Sequence, residues 1–180
     1  MSSVTILGDT SGSVALTAAT VAGSTAITIA AQSGTLCAGA PAYRVYATGG
    51  TSCPTATFTK LNFAGITFDT NSNYSSSRFT PTVAGYYQIQ ASIGFLSTST
   101  SGFCRLSIFK NGSDYCDGAP FQNSNYTATY SPNPSVSGLV YCNGTTDYIE
   151  IYLYQTSGST FSTDTGSLTS YGSGYWGRML

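Results

Sequence analysis

Hydrophobic residues recur at every second position in three long segments of the chain. In 86–95 one set of alternate positions is hydrophobic and the other is mostly polar or small, the hydrophobic set being Tyr87, Ile89, Ala91, Ile93 and Phe95. The same period of two occurs in 103–110 and in 148–154. Because successive side chains of a strand point to opposite faces of a sheet, this period predicts strands that bury one face.

Shorter segments rich in β-branched and aromatic residues predict further strands. They are 42–48, 57–63, 66–69, 78–82, 126–130, 136–142 and 168–176. The turn-forming pair Asn111-Gly112 follows 103–110, and no segment has the hydrophobic period of a capped amphipathic helix. Many short strands at this spacing predict an all-β protein built as a sandwich or jelly roll.

Residues 1–40 follow a different pattern from the rest of the chain. Short alternating stretches at 4–6, 14–18 and 27–31 are separated by Gly-Asp and Gly-Ser turns, and each is too short to bury a core. We therefore expect a short N-terminal β stalk or attachment arm at 1–40 and a globular head at 41–180. Three chains wrapped together could close the core that a single stalk lacks.

The charge content indicates that much of the surface is covered. Charged residues make up 7% of the chain and hydrophobic residues 41%, with a net charge of −1. Ordinary soluble domains contain about 25% charged residues. An obligate oligomer explains this depletion, because its interfaces are apolar and poor in charge. The alternative is a monomer kept soluble by Ser, Thr and Asn.

Several function classes are disfavoured by the inventory of residues. The basic residues are scattered and form no cluster that would bind nucleic acid: Arg44, Lys60, Arg78, Arg105, Lys110 and Arg178. No apolar run approaches the ~20 residues of a membrane span, and the start of the chain lacks the basic region of a secretory signal. We expect no nucleic acid, no membrane insertion and no cofactor.

Histidine is absent, and the chain contains five cysteines. Nucleophilic catalysis normally needs a histidine base, and only Asp114 and Asp117 among the acids lie close in sequence, so no enzymatic activity is expected. No CxxC motif is present, which argues against a zinc site. The cysteines are expected to be reduced and mostly buried, with a disulfide between Cys104 and Cys142 as the open alternative.

The head resembles the globular head shared by the first complement component and tumour necrosis factor. The resemblance is carried by Ala42-Tyr43-Arg44-Val45-Tyr46, 68–74, Arg78-Phe79-Thr80-Pro81, Gly85-Tyr86-Tyr87-Gln88-Ile89, 106–112, 147–151 and Tyr175-Trp176-Gly177. It implies a ten-stranded jelly roll and a tight three-fold homotrimer. The closing motif differs, because the family has a Phe-Ser-Gly-like sequence at that point.

Residues 11–36 resemble a small repeat frequent in phage tail-fibre and other virion appendage proteins, with Ala30 in place of the usual Pro. Together the two resemblances imply a trimeric phage virion protein, made in the host cytoplasm and placed on the tail or capsid exterior. Residues 1–40 would contact other virion proteins, and the head would bind a host surface glycan or protein. The alternatives are a capsid decoration or cement trimer, and a non-viral complement-like binding protein.

Two groups of residues are candidates for contacts with partners. The segment 111–135 combines aromatic and acidic side chains with short polar ones, as sugar-binding and adaptable recognition loops do, and the candidate receptor-binding residues are Asp114, Tyr115, Asp117, Phe121, Tyr126 and Tyr130. Its aromatics could instead pack over their own sheet. The stripe Tyr148, Tyr152 and Tyr154 is the candidate trimer interface, or else decorates a sheet surface.

The stretch from Asp69 to Asn73 has oxygen-bearing side chains at the first, third and fifth positions, as a calcium loop does. Tyr74 and Thr80 occupy the positions where such a loop needs Gly and Glu. An Asn-rich turn is therefore expected here rather than a metal site.

Overall fold

The structure is a computed structural model that describes residues 3–7, 13–17, 41–94, 102–123, 133–164 and 166–176. All secondary structure within these residues consists of β-strands. None of the described residues lies in a helix long and apolar enough to cross a membrane. The chain divides into two compact units, Met1–Leu36 and Cys37–Leu180.

The first unit contains an antiparallel hairpin of β1 (Ser3–Leu7) and β2 (Ser13–Thr17). Val4 lies opposite Leu16 and Ile6 opposite Val14, so the alternating hydrophobic positions of the two strands pair with each other. The third stretch expected in this unit, 27–31, lies outside the described residues. A stalk of three wrapped chains stays a prediction.

The second unit forms the jelly roll. Its described strands are β3 (Ala42–Ala47), β4 (Ser52–Cys53), β5 (Thr59–Lys60), β6 (Gly65–Asp69), β7 (Tyr74–Ser75), β8 (Arg78–Phe79), β9 (Gly85–Ser92), β10 (Gly102–Lys110), β11 (Ser113–Asp117), β12 (Phe121–Asn123), β13 (Ser135–Cys142), β14 (Ile149–Gln155), β15 (Phe161–Ser162) and β16 (Gly166–Trp176). The pairings between them are antiparallel.

Two large sheets account for most of these strands. The five-stranded sheet has the order β13-β9-β16-β3-β6. The seven-stranded sheet has the order β11-β10-β14-β8-β7, with β12 also paired to β10 and β5 to β14. Strands β4 and β15 pair separately. Apart from the consecutive pairs β10–β11 and β7–β8, neighbours in the two sheets are not consecutive in sequence, which is typical of a jelly roll and distinguishes it from a simple meander.

The hydrophobic core lies between the two sheets and is built from alternate strand positions. Ile89 of the five-stranded sheet and Leu106 and Leu153 of the seven-stranded sheet are fully buried. Phe79 packs against Tyr43 and Tyr87, with ring centroids 4.3 and 5.4 Å apart. The predicted period-two strands and the predicted all-β jelly roll are thus confirmed.

Some predicted boundaries are wrong. The predicted strands 57–63 and 78–82 are reduced to β5 and β8, since only those residues join the sheet ladder. The predicted loop 111–135 contains β11 and β12. Strand β11 lies at the sheet edge and most of its residues are exposed, so it has none of the hydrophobic alternation that marks a half-buried strand. The predicted strand 126–130 lies outside the described residues.

Candidate binding face

The outer face of the seven-stranded sheet carries a cluster of aromatic rings, which we call the aromatic strip. Its members are Phe58, Phe103, Phe109, Tyr152 and Tyr154. Phe109 stacks on Tyr152 with ring centroids 4.0 Å apart, and Phe58 lies 5.0 Å from Tyr154. These separations are those of favourable aromatic pairs, so the strip is an ordered surface.

Arg105 lies beside the strip and is held by two carboxylates. Its guanidinium carbon is 5.4 Å from the centre of the Phe58 ring, and Nη1 donates to Asp117 Oδ2 at 2.5 Å. Nη2 lies 3.9 Å from Asp114 Oδ2, and the Ser107 hydroxyl also donates to Asp117. The buried Nε of Arg105 has no hydrogen-bond partner among the described residues. One cation between two acids leaves this cluster with a net negative charge.

The surroundings of Asp114 shift its pKa. Partial loss of solvation and the neighbouring negative charge of Asp117 raise the pKa of Asp114 above its ordinary value, while Arg105 acts in the opposite direction. A carboxylate pair bridged by an arginine presents acceptor oxygens at fixed positions, which suits recognition of hydroxyl or amine groups.

The structure brings only some of the predicted receptor-binding residues together. Asp114 and Asp117 meet at Arg105, and Tyr115 is 50% exposed on the same strand, with its hydroxyl 3.4 Å from the carbonyl oxygen of Leu139. Phe121 is partly buried and packs against the core, as the alternative interpretation of the loop expected. The remaining two candidates, Tyr126 and Tyr130, lie outside the described residues.

The three tyrosines predicted at a trimer interface have aromatic or cationic partners within their own chain. Tyr152 and Tyr154 belong to the aromatic strip, and the guanidinium carbon of Arg78 lies 3.8 Å above the ring of Tyr148. All three are half-buried. The register pairs Arg105 with Tyr154, so these tyrosines share a face with the acidic cluster.

Sequence reasoning missed a second charged cluster on this sheet, centred on Glu150. This side chain is buried, with 4% of the residue exposed, and its Oε1 accepts hydrogen bonds from Lys60 Nζ at 2.7 Å and from Arg78 Nε at 2.9 Å. The Tyr152 hydroxyl donates to Oε2 at 3.4 Å. The partners are 90 and 72 residues away in sequence, so no local motif links them. The one available signal was that the sole glutamate of the chain lies within a hydrophobic strand.

Opposing effects act on the pKa of Glu150. Burial by itself would raise it, but the hydrogen bonds and positive charges of Lys60 and Arg78 outweigh burial and lower it below the ordinary value. The carboxylate is therefore ionised at neutral pH, and it fixes the two cations beside it.

The predicted Asn-rich turn is present. Asp69 accepts the backbone N–H groups of Asn73 at 3.0 Å and Tyr74 at 2.8 Å through its two carboxylate oxygens. The Asn73 side chain is buried and bonds to Asn71 and Thr82. These bonds explain the oxygen-rich spacing as turn chemistry. No group of three metal-binding side chains occurs among the described residues.

The cysteines of the described part are free thiols, including Cys104 and Cys142, so the alternative disulfide is not formed in the structure. Cys53, Cys104 and Cys142 are buried and belong to the core, and Cys116 is half-buried.

The outer face of the five-stranded sheet has a different chemistry. Tyr86 and Tyr141 are 47% and 45% exposed and contact each other edge to face, with ring centroids 5.3 Å apart. Phe68 is also exposed. The five strands contain two charged residues, Arg44 and Asp69, and the seven strands of the other sheet contain Lys60, Arg78, Arg105, Lys110, Asp114, Asp117 and Glu150.

Comparison with known proteins identifies solved structures that share this architecture. No family model and no curated protein matches the chain. Solved structures match over most of their length: Eiger TNF from S. frugiperda (TM-score 0.57, 7% identity, 79% of this chain and 96% of that one) and murine APRIL at pH 5.0 (TM-score 0.53, 8% identity, 76% and 98%). The PRD1 vertex protein P5 also matches, with a TM-score of 0.55, 17% identity, and coverage of 77% and 97%. The chain therefore has the fold of the TNF-like jelly-roll proteins.

Proposed function

We propose that this chain is a phage virion structural protein, the subunit of a trimeric tail fibre or fibre-like appendage that takes part in host attachment. The observation that carries the proposal is the difference between the two outer faces of the jelly roll. One is exposed, aromatic and nearly free of charge, and the other presents ordered charges and aromatic rings.

The outer face of the five-stranded sheet is the proposed subunit contact. Tyr86 and Tyr141 form an exposed aromatic pair at one edge of this face, and Phe68 is exposed on β6 at the opposite edge. Aromatic side chains are enriched at the centres of interfaces, where charged side chains are depleted. A stable interface buries about 800 Å² on each partner, which a sheet face of this size can supply. This contact replaces Tyr148, Tyr152 and Tyr154 as our first candidate, because those tyrosines are less exposed than Tyr86 and Tyr141.

The outer face of the seven-stranded sheet is the proposed attachment surface. Asp114 and Asp117 lie there beside the aromatic strip, and such a surface suits a host glycan or protein. Tyr115 is exposed on the same strand, and its hydroxyl extends toward Leu139 of the five-stranded sheet. Three copies on one trimer, and several trimers on one particle, would convert weak single contacts into firm attachment.

Two observations support a virion location. The head shares its fold with the PRD1 vertex protein P5, and residues 11–36 resemble a repeat of virion appendages. The N-terminal unit would contact other virion proteins. Because P5 is described as a vertex protein, a capsid decoration or cement trimer is the second candidate function.

Electron microscopy of virions labelled with antibody against residues 41–180 tests this proposal. Label at the tail, together with competition between the purified protein and virions for host adsorption, would support the attachment function. Label over the capsid without such competition would favour the decoration protein. Virions that carry no label would contradict both, and the non-viral complement-like binding protein would then be the better account.

A further inference from the structure

We propose that Arg78 and Lys60, fixed by the buried carboxylate of Glu150, form an anion-binding site for the carboxylate or phosphate groups of an acidic polysaccharide. The site lies on the outer face of the seven-stranded sheet, where Phe109 of β10 stands between Glu150 and Asp114 in the register. It shares no residue with the Asp114–Asp117 cluster. It depends only on the head and holds for either virion location.

The cluster has an excess of positive charge at one point. Lys60 Nζ and Arg78 Nε both donate to the same oxygen, Glu150 Oε1, at 2.7 and 2.9 Å. The two cations are therefore held close together, and one carboxylate can neutralise only one of them. The second oxygen of Glu150 already accepts the Tyr152 hydroxyl. A bound anion would neutralise the remaining positive charge.

Internal pairing uses only part of the Arg78 guanidinium. Its Nε is bound to Glu150, and its guanidinium carbon lies 3.8 Å from the centre of the Tyr148 ring. The side chain is 43% exposed, and its two terminal nitrogens have no hydrogen-bond partner in the described part of the chain. A guanidinium fixed through Nε and stacked on a ring presents its remaining N–H groups as a planar pair, which matches two oxygens of a carboxylate or phosphate.

The other cations of this sheet are balanced or outnumbered by acids. Arg105 lies between two acids, Asp114 and Asp117, so its cluster has a net negative charge. Lys110 Nζ lies 3.0 Å from Asp147 Oδ2. Among the described residues of this sheet, Lys60 and Arg78 form the cluster in which cations outnumber acids, with two cations on one carboxylate. The excess charge is local and does not follow from the net charge of −1 of the whole chain.

The open surroundings of Lys60 and Arg78 favour binding of an anionic group carried on a polymer over binding of an enclosed small molecule. The cations lie on an open sheet face beside half-buried Tyr148 and Tyr152, so a sugar ring attached to the anionic group can lie against tyrosine. A single anionic group on such a face binds weakly, and repeated groups along a polysaccharide would engage several sites.

Binding of three polymers of matched length to the full chain tests the inference at low salt, about 50 mM, where charge interactions are less screened. The probes are oligogalacturonate, which carries carboxylates, poly(glycerol phosphate), which carries phosphodiesters, and neutral dextran. Binding of either anionic polymer, with no measurable binding of dextran, supports the site, and the preferred polymer identifies the source of the anion. Equal binding of dextran, or binding of neither anion, overturns it.

Three variants locate the site. Arg78→Gln should weaken binding of the preferred polymer about tenfold or more, as expected for loss of charge-assisted hydrogen bonds. Arg78→Lys keeps the positive charge beside Glu150 and should fold, but it loses the planar donor pair and should also bind several-fold more weakly. Lys110→Gln removes the same charge elsewhere and should change affinity less than about twofold. Equal losses in Lys110→Gln and in the Arg78 variants would show non-specific charge attraction and overturn the site.

Discussion

Tyr86 on β9 and Tyr141 on β13 lie directly opposite each other in the sheet register and contact edge to face, with ring centroids 5.3 Å apart, while nearly half of each residue remains exposed. Cross-strand aromatic pairs stabilise sheets, yet exposed pairs on a face with few charges also form a surface that is unfavourable in water. A second copy of the chain would cover this pair.

Replacing Tyr86 by Arg should dissociate the trimer. An unpaired charge at the centre of an apolar contact loses its hydration, and central aromatic residues typically contribute about 2 kcal/mol or more to binding. The molecular mass of the variant should fall toward that of one chain at micromolar concentration. Phe103→Arg, which changes an exposed aromatic residue on the outer face of the other sheet, should leave the mass unchanged.

If Tyr86→Arg keeps the wild-type mass and Tyr154→Arg lowers it, the subunit contact lies on the tyrosine stripe of β14. This comparison tests the candidate trimer interface of Tyr148, Tyr152 and Tyr154 against the face proposed above.

The acid dependence of stability should depend on Glu150. Its pKa is lower in the folded protein than in the unfolded chain, so it contributes stability that is fully present above the unfolded value of about 4.3 and is lost as the pH falls through the folded value. Glu150→Gln should be about 1–3 kcal/mol less stable at pH 7 and should lose less stability on acidification. Denaturant unfolding between pH 7 and 3 measures both effects.

Some acid dependence should remain in the Glu150→Gln variant. Hydrogen bonds from Asn111 and Lys110 lower the pKa of Asp147 as well, so this carboxylate acts in the same direction. Identical pH profiles for the wild type and the variant would show that Lys60 and Arg78 do not stabilise the ionised Glu150.

Gly118 should not tolerate a side chain. A Cβ atom there would lie 2.2 Å from the carbonyl oxygen of Ser135 and 3.2 Å from that of Leu106, and backbone atoms cannot move aside as a side chain can. Gly118→Ala should cost about 1–3 kcal/mol, measured by chemical unfolding. Gly49→Ala is the matched control, because a Cβ atom at Gly49 meets nothing within 4 Å. Equal stability of the two variants would contradict the close approach at Gly118.

The buried thiols should react slowly with alkylating reagents in the folded protein. Burial raises the pKa of Cys53 and Cys104 to about 12 and that of Cys142 to about 11, and the thiolate is the reactive form. At pH 8, peptide mapping should show these three cysteines labelled far more slowly in the native state than in denaturant. Rapid native labelling of Cys104 would show that this part of the core opens readily.

Sequence reasoning predicted those parts of the fold in which burial alternates locally. Strands β9, β10 and β14 bury every second residue in the core, so Ile89, Leu106 and Leu153 could be assigned to it directly. Edge strand β11 could not be predicted, because both its faces are mostly exposed and its pairing with β10 alone makes it a strand.

In the candidate site, too, only features that are local in sequence could be predicted. Asp114 and Asp117 are near each other in sequence and were identified, but Arg105, which joins them, depends on the register between β10 and β11. The Glu150 cluster depends on three segments that only the folded sheet brings together. Tyr152 and Tyr154 of the tyrosine stripe lie on β14, which begins one residue after Tyr148. Their partners Phe58 and Phe109, and Arg78 at Tyr148, could not be inferred from that segment's own sequence.

The most direct test of the proposed trimeric head is the molecular mass of the purified full chain in solution, measured by light scattering coupled to size exclusion at micromolar concentration. A trimer held by the outer face of the five-stranded sheet predicts three times 18.7 kDa over a wide concentration range. A stable monomer of 18.7 kDa, with Tyr86 and Tyr141 left in water, would contradict the account.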